Sequence, residues 1–439
     1  MSSNKKSINY KLLIFDGRFP ESNFKGFRAI EFESYLNKIE NSYIVNIPTG
    51  IKDDDYHIGR DSTAYIENTS EYISSHPEYA NKFIEFGSKN SQKADLAYIL
   101  FLNETFTVLD YLEAHNIPFV FCLYPGGGFF VDKSKSDEKL KRIFLSPLFK
   151  QVIVTQQYTK DYIIRKGLCD ESKITLKYGG FSQLEKKDTL SRKYYPQDKN
   201  TFDICFVAFR YVEFGLNKGY DLFIETAKIL SEKISNIRFH VVGNWDKKEI
   251  DISMLGNKII FYGTQNSDFF SDFFSNMDIF LTPNRPLQFG SQFDGFPLGA
   301  DAGYSGVPIF TSDELNMNRD YLFGKEMVKI PLDALQISNI IIEYYNDPKK
   351  LIELSIFGQK KIQDLFDTFN QIEARLNIFE TAINSTFEPK KLTQYDKYFL
   401  VKFKYKRNLV FIKRKASKKF KLLRSSVLVR KGKKSDNKN

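Results

Sequence analysis

Short apolar runs alternate with helix-length stretches along most of this chain, and the whole alternation occurs twice. In the first half, the apolar runs are bounded by polar turns, as buried strands are, and cover Tyr10–Phe15, Tyr43–Ile47, Leu96–Phe101, Pro118–Tyr124 and Gln151–Thr155. The stretches of helical length between them include Phe27–Ile39, Phe106–His115 and Tyr158–Lys166. Strands that alternate with helices form parallel sheets with crossover helices, so this half is predicted to be a doubly wound α/β domain.

The pattern restarts after a polar break at 185–200, which we interpret as an interdomain linker. The predicted strands of the second half are Asp203–Ala208, Arg238–Val242, Lys258–Tyr262, Ile279–Thr282 and Val307–Thr311. The predicted helices are Tyr220–Lys233, Ser267–Asn276, one that begins near Leu298, and three closing segments at Leu332–Tyr345, Lys349–Leu365 and Phe369–Ile383. The fold class is therefore α/β, with two Rossmann-like domains facing a cleft, C-terminal helices and a basic tail.

The domain bounds follow from this pattern. We predict an N-terminal Rossmann-like domain at 1–190, a second Rossmann-like domain at 200–365, a closing helix at 366–390 and a basic tail at 391–439. The polar stretch 50–91 is expected to be an irregular or partly helical insertion. Ligands of open α/β sheets bind at the carboxyl ends of the strands, so functional residues are expected in the loops after strands.

Charge is divided unevenly along the chain. Residues 401–439 contain 16 Lys and Arg and one acid, a net charge of +15. Subtracting this from the +10 of the whole chain leaves −5 for the first 400 residues. A mildly acidic body does not suit a domain that grips nucleic acid, so no nucleic-acid partner is expected.

The N-terminal segment and the cysteines indicate the cellular compartment. The polar segment 1–9 lacks the apolar core of a signal peptide, and nowhere do eighteen apolar residues run together. Three widely separated cysteines are typical of a reduced, cytosolic chain. The four histidines show no metal-ligand spacing, so neither a metal nor another cofactor is expected.

The most informative segment is 293–308, FDGFPLGADAGYSGVP. A loop delivers Asp294, Gly and Pro, a short helix begins near Asp301, and a sharp return at Gly306 leads into the next strand. Backbone N–H groups at a helix start can hold a phosphate, and carboxylates accept hydrogen bonds from sugar or ribose hydroxyls. The segment is predicted to bind a phosphorylated, hydroxyl-rich ligand.

At this segment the chain resembles the retaining glycosyltransferases of family four, also called glycosyl transferases group 1, which have the two-lobed GT-B fold. Their signature is E-G-F-G or E-G-F-P, a second Glu eight residues after the first, a small-residue helix and G-x-P. Here both acids are Asp, with six residues between them where the family usually has seven. The resemblance implies that Asp294 is the catalytic carboxylate and that Phe296 and Asp301 bind the donor.

Two cations form the second motif. Arg210 follows the strand Phe206–Ala208, and Lys218-Gly219 opens the next helix. In the resembled family these positions neutralise the donor diphosphate, and fixed cations stabilise the charge that develops on a departing nucleoside diphosphate. Gly263, in Phe261-Tyr262-Gly263, matches the family turn beside the nucleotide base. This glycine also suits an ordinary turn.

In the first half, Gly126, Gly127 and Gly128 follow a predicted strand and would allow close backbone approach to an acceptor. A flexible loop is the alternative there. The acidic run Asp53–Asp55 lies in the polar insertion and is interpreted as a solvated loop, not a metal site.

These observations predict a hexosyltransferase-type enzyme that transfers a sugar from a nucleotide sugar to a glycan or lipid-linked acceptor, with retention, in surface polysaccharide assembly. The alternatives are a catalytically degenerate sugar-nucleotide-binding protein and a nucleotide-sugar epimerase on the same scaffold. An epimerase would use His and carboxylate groups in the cleft, where these histidines are poorly placed.

The tail suggests where the enzyme acts. Apolar residues from Leu409 to Val427 recur every three or four positions among many Lys and Arg, as in an amphipathic helix on an anionic membrane. A disordered basic tail is the alternative. We therefore expect a cytoplasmic enzyme at the inner face of the cell membrane.

Overall fold

The structure is a computed structural model that describes residues 10–20, 27–47, 62–179, 192–210, 212–246, 248, 250–286, 300–385 and 392–402. In these ranges no helix is both long and apolar enough to span a membrane. The described residues fall into two compact units. One lies within Met1–Phe144 and Leu148–Phe387 and contains both sheets, and the other lies within Leu145–Pro147 and Glu388–Asn439. The four predicted domain bounds stay a prediction.

The first half forms a seven-stranded parallel sheet of order β3-β2-β1-β4-β5-β6-β7. Its strands are β1 (Leu12–Asp16), β2 (Ser42–Asn46), β3 (Phe83–Ile84), β4 (Leu96–Leu100), β5 (Phe119–Leu123), β6 (Phe149–Val154) and β7 (Ile174–Leu176). The five predicted strands correspond to β1, β2, β4, β5 and β6. The central strands are buried on both faces, which explains their continuous apolar runs.

Helices cover both faces of this sheet. They are α1 (Phe27–Lys38), α2 (Ser62–Ser75), α3 (Leu102–Ala114), α4 (Ser134–Phe144) and α5 (Gln157–Arg165). Leu13 and Phe15 face the core with α3, α4 and α5, and Leu12 and Ile14 face the core with α1. The stretch 50–91 is partly helical, since it contains α2, whereas Asp53–Asp55 lie outside the described residues.

The second half forms a six-stranded parallel sheet of order β10-β9-β8-β11-β12-β13. The strands are β8 (Phe202–Val207), β9 (Ile237–Val242), β10 (Ile259–Phe261), β11 (Ile279–Thr282), β12 (Ile309–Thr311) and β13 (Val328–Lys329). The helices are α6 (Tyr220–Lys233), α7 (Ser267–Ser275), α8 (Ala300–Tyr304), α9 (Ala334–Asn346) and α10 (Pro348–Phe366). The prediction of two doubly wound parallel sheets is thus confirmed.

The last helix of this unit, α11 (Thr368–Asn384), returns to the first sheet. Its Leu376 and Phe379 pack in the same core as Tyr35 of α1. Arg375 is fully buried, and its Nε lies 3.4 Å from Oε1 of the fully buried Glu31. Because removing either charge would leave the other buried and uncompensated, this pair fixes α11 against the first sheet.

The predicted linker lies only partly within the described residues. Arg192 is buried, and its guanidinium donates hydrogen bonds to Ser355 Oγ and to the carbonyl oxygen of Met277. Ser355 belongs to α10 and Met277 precedes β11, so the chain is already packed on the second sheet at Arg192. The C-terminal portion of the polar break therefore packs with the second sheet and its helices.

Candidate functional site

The second sheet has one point at which its strand order reverses. From β8 the chain moves outward to β9 and β10, and then it returns to the other side of β8 as β11. Loops that leave the carboxyl ends of two such neighbouring strands open a crevice, where α/β sheets bind ligands. A small pocket lies there, lined by Phe206, Val207, Ala208, Lys218, Leu281, Thr282 and Asn284.

Lys218 reaches this pocket because of the glycine that follows it. Gly219 has φ +70° and ψ +28°, and a Cβ at this position would overlap the carbonyl oxygen of Pro283. Only glycine allows the start of α6 to pack this closely against the loop after β11. Lys218 is 2% exposed and lines the pocket, so this residue is shielded from bulk solvent.

A bidentate ion pair joins the two sides of the pocket. Arg285, in the loop after β11, binds the carboxylate of Asp221 in the first turn of α6 with two hydrogen bonds of 2.6 and 2.8 Å. The backbone N–H of Arg285 also donates to the carbonyl oxygen of Asn217 at 3.0 Å. Parallel N–H···O bonds of this kind fix orientation as well as distance.

Two asparagines at the same place have unused hydrogen-bonding capacity. Asn217 and Asn284 are each 2% exposed, and within the described part of the chain neither Oδ1 atom has a hydrogen-bond partner. A buried polar atom without a partner is costly, and such atoms mark a place for a ligand or water. Both residues were missed in the sequence, where single asparagines in loops carry no distinguishing signal.

Arg210 is placed differently from Lys218. It is exposed in the loop after β8, and its backbone N–H donates to Asn244 Oδ1 at 2.7 Å. The residues that line the pocket include Lys218 but not Arg210. The structure therefore places both cations in the loop that follows β8, one in the pocket wall and one outside it.

Gly263 lies just after β10, with φ +68°, and a Cβ at this position would meet open space. Its carbonyl oxygen accepts a 2.9 Å hydrogen bond from the N–H of Gly243, which joins the loops after β9 and β10. The positive φ, rather than a close approach, explains the glycine.

Asp294 and Phe296 lie outside the described residues, so the catalytic assignment stays a prediction. Asp301 is the second residue of α8 and is half-buried. The return at Gly306 is present, with φ +81° and a 2.9 Å hydrogen bond from its N–H to the carbonyl oxygen of Gly303. Gly303 packs closely against Ile362 of α10, whose terminal methyl group a Cβ at this position would overlap. The short helix and its sharp end are as predicted.

The three glycines after β5 have φ values of +81°, +53° and +94°. A Cβ on Gly127 would overlap the ring of Phe101, and one on Gly128 would overlap the side chain of Asn103. The Asn103 N–H donates to the carbonyl oxygen of Gly127 at 2.9 Å. Close packing against the start of α3 accounts for this glycine run, and its contact with an acceptor stays a prediction.

A larger groove of about 560 Å³ lies beside α7, away from this pocket. At its base His240 is hydrogen-bonded to Tyr262 and, at 2.8 Å, to Asp203. Burial alone would raise the pKa of Asp203, but the hydrogen bond from His240 and the charge of Lys199 lower it to about 2. His240 is engaged in these two hydrogen bonds, and none of the three described histidines lines the pocket at the switch point.

Comparison with known proteins finds a family domain in the second half of the chain. The model of the family "Glycosyl transferases group 1" matches residues 191–361, which contain the pocket. No curated protein matches the chain in sequence.

Several solved structures share the fold. HepE of Anabaena, solved with UDP and glucose, is 14% identical with a TM-score of 0.60 over 85% of this chain and 100% of its own. Sucrose-phosphate synthase of Thermosynechococcus elongatus is 15% identical, with a TM-score of 0.55 over 84% and 98%. A glycosyltransferase of Rickettsia africae is 13% identical, with a TM-score of 0.58 over 86% and 100%. At these identities the likeness shows the fold alone.

Proposed function

We propose that this chain, a glycosyltransferase whose residues 191–361 match the glycosyl transferases group 1 domain, transfers a sugar from a nucleotide-sugar donor to a glycan or lipid-linked acceptor with retention. The observation that carries the proposal is the buried cation of Lys218 at the switch point of the second sheet. A buried cation at such a pocket suits a ligand that becomes more negative as it departs, as a nucleoside diphosphate does.

The donor is held, in this proposal, by residues of the second sheet alone. Lys218 and Arg210 neutralise the diphosphate from the two ends of one loop, without a required metal. Asn284 in the pocket, with Asn217 beside Lys218, offers Oδ1 atoms that accept hydrogen bonds from sugar hydroxyls. Asp301, at the start of α8, accepts a hydrogen bond from the ribose, and Gly263 and Phe296 are also assigned to donor binding.

Asp294 is proposed as the group nearest the reacting carbon, where a carboxylate stabilises positive charge as the bond to the diphosphate breaks. Because binding and chemistry are assigned to different carboxylates, substitutions at Asp301 and Asp294 should affect different kinetic constants.

The acceptor is assigned to the first sheet, with Gly126, Gly127 and Gly128 at its carboxyl edge. A role in surface polysaccharide assembly at the inner membrane face is supported by the basic tail. Just before it, residues 394–402 form a helix whose Tyr398 and Val401 are 62% and 70% exposed. Lys402 Nζ lies 5.9 Å from the centre of the Tyr398 ring. Exposed Tyr beside Lys suits a membrane–water interface.

The test is turnover of nucleotide sugars by the purified full-length chain. We would incubate it with a panel that includes UDP-glucose, UDP-N-acetylglucosamine and GDP-mannose and measure release of the nucleoside diphosphate. One donor should be hydrolysed well above the others, and Lys218→Met should abolish that hydrolysis. Tight nucleotide binding without turnover of any donor would favour the degenerate alternative.

A further inference from the structure

The first sheet has its own point of strand-order reversal, between β1 and β4. Asp16 is the last residue of β1, and Glu104 lies in the first turn of α3, directly after β4. Both carboxyl groups are therefore at the carboxyl edge of the sheet, where the crevice of an α/β domain opens. Asp16 is fully buried and Glu104 is 6% exposed.

Asp16 is surrounded by hydrogen-bond donors. Its Oδ1 accepts from the backbone N–H groups of Arg18 and Phe19, at 2.7 and 2.6 Å, and its Oδ2 accepts from Arg28 Nε at 2.7 Å. Three N–H donors stabilise a carboxylate, so Asp16 is the natural position for a negative charge. These bonds also fix the beginning of the loop between β1 and α1.

Glu104 has a different environment. Its Oε1 lies 3.5 Å from Arg28 Nη2, and among the described residues no donor reaches its buried Oε2. Burial first, and then the charge and hydrogen bond of the neighbouring Asp16, raise the pKa of Glu104 well above its usual range, although Arg28 and the exposed Arg18 oppose this. A proton on Glu104 would remove the repulsion between the two buried carboxyl groups, because the protonated carboxyl can donate a hydrogen bond to Asp16.

The cluster is attached to a strained turn. Phe101, between β4 and α3, has φ +66° and ψ +152°, a conformation that is essentially restricted to glycine. The Arg28 guanidinium lies 5.1 Å from the centre of the Phe101 ring, and the Phe101 ring touches the position of Gly127. Backbone strain of this kind persists only where surrounding contacts enforce it, and it is concentrated at functional sites.

We propose that Asp16, Arg28 and Glu104 form a positioning cluster in which the two carboxyl groups share one proton, and that this cluster fixes the acceptor-side edge of the first sheet. The inference rests on the proposed acceptor role of that edge. Arg28 connects the loop after β1 to the strained turn after β4, and that turn contacts the glycine run after β5. Ionisation of Glu104 would place a second negative charge beside Asp16 and loosen all three loops.

The test compares Glu104→Gln, which has the shape of the protonated carboxyl, keeps an N–H donor and cannot ionise, with Glu104→Ala. Asp110→Asn on the same helix is the matched control, since its side chain is about half exposed. We expect the Gln variant to turn over the donor within about twofold of wild type, and the Ala variant to lose about tenfold or more. Both should bind UDP as wild type does, because the nucleotide is assigned to the second sheet.

The pH dependence gives a second readout. A folded-state pKa above the ordinary 4.5 stabilises the protein at low pH, and that stability is lost as pH rises toward the folded value. The unfolding temperature of Glu104→Gln relative to wild type should therefore increase from about pH 5 to pH 8, and that of Asp110→Asn should stay constant. Turnover by wild type should decline at alkaline pH, and in the Gln variant this decline should disappear.

The outcomes distinguish failure of the positioning cluster from failure of the proposed function. A relative unfolding temperature of Glu104→Gln that stays constant over this pH range would show that Glu104 is already ionised in the folded protein and would overturn the shared proton. An active wild type with an inactive Gln variant would overturn it as well. Normal turnover in Glu104→Ala would overturn the positioning role. Absence of turnover in wild type would instead count against the proposed function, while the unfolding data would still decide the protonation of Glu104.

Discussion

The guanidinium of Arg285 and the carboxylate of Asp221 form two parallel hydrogen bonds, from Nη1 to Oδ1 at 2.6 Å and from Nη2 to Oδ2 at 2.8 Å. The residues are 64 positions apart in the chain. Their pairing holds the loop after β11 against the first turn of α6, so that Asn284 and Lys218 line one pocket. A surface-accessible pair contributes little to stability, but a bidentate one contributes orientation.

Replacing Arg285 by Lys should therefore weaken donor binding more than folding. Lys cannot make both hydrogen bonds, so the dissociation constant for the nucleoside diphosphate of the preferred donor should rise about fivefold to tenfold while the free energy of unfolding changes by about 1 kcal/mol or less. Titration calorimetry and urea unfolding measure the two effects. Arg142→Lys is the matched control, since Arg142 binds Glu113 in the same bidentate way beside the first sheet. Equal loss of nucleotide affinity in the control would contradict the assignment.

Lys218→Met should remove the charge while keeping most of the side-chain volume. Because the ammonium group is proposed to stabilise the departing diphosphate, kcat should fall by about 100-fold or more, with an unchanged circular dichroism spectrum. Lys233→Met, in the exposed last turn of the same helix, should have no effect. Full activity of Lys218→Met, or complete loss of wild-type activity in EDTA, would exclude the proposed metal-free role of this cation.

Substitutions at the two acidic residues of the 293–308 segment should change different kinetic constants. Asp301→Asn should mainly raise KM for the donor, since a ribose hydrogen bond is lost, whereas Asp294→Asn should mainly lower kcat. Steady-state kinetics with the preferred donor distinguish these effects. NMR of the product linkage should show the configuration of the donor. A kinetically silent Asp294→Asn would move the reacting centre elsewhere, and an inverted linkage would exclude retention.

The hydrogen bond between Asp203 and His240 should make the stability of the protein depend on pH in the acidic range. A pKa lowered to about 2 adds stability that is present above the ordinary 3.8 and is lost as pH falls through about 2. Asp203→Asn should therefore cost about 2 kcal/mol at pH 7, a difference that shrinks below about pH 3. Urea unfolding across this range measures it. Asp272→Asn, exposed on the same groove, should be neutral at every pH, and a difference for Asp203→Asn that does not depend on pH would contradict the lowered value.

The tail should govern membrane binding. Full-length protein should sediment with vesicles that contain anionic lipid at low salt and be released at high salt, because each cation near the surface contributes about 1 kcal/mol. A variant ending at Lys397 should stay in the supernatant while it retains donor hydrolysis. Equal binding to neutral vesicles, or unchanged binding by the shortened chain, would exclude an electrostatic anchor.

Much of the architecture could be predicted because most helices and strands show a local pattern of apolar and polar residues. The bounds of α6 and β11 agree with the structure to the residue, since each is an apolar segment bounded by polar or turn residues. The short strands β3, β7 and β13 were not predicted, because two or three half-buried residues give no periodic signal. The polar helix α4 was also not predicted. Helix α3 begins at Leu102, four residues before the predicted start, where Asn103 binds the glycine loop.

At the site, two motifs with a local signal could be predicted: the Lys218-Gly219 pair that opens a helix, and the sharp return at Gly306. Which loops meet could not be predicted, because it depends on the order of the strands in each sheet. Asn217 and Asn284 became candidates because the order of β8 and β11 brings two distant loops together, and Asp16 and Glu104 because β1 and β4 are neighbours. The physical reason is that burial and missing hydrogen-bond partners, which give these side chains their chemistry, depend on contacts between distant segments.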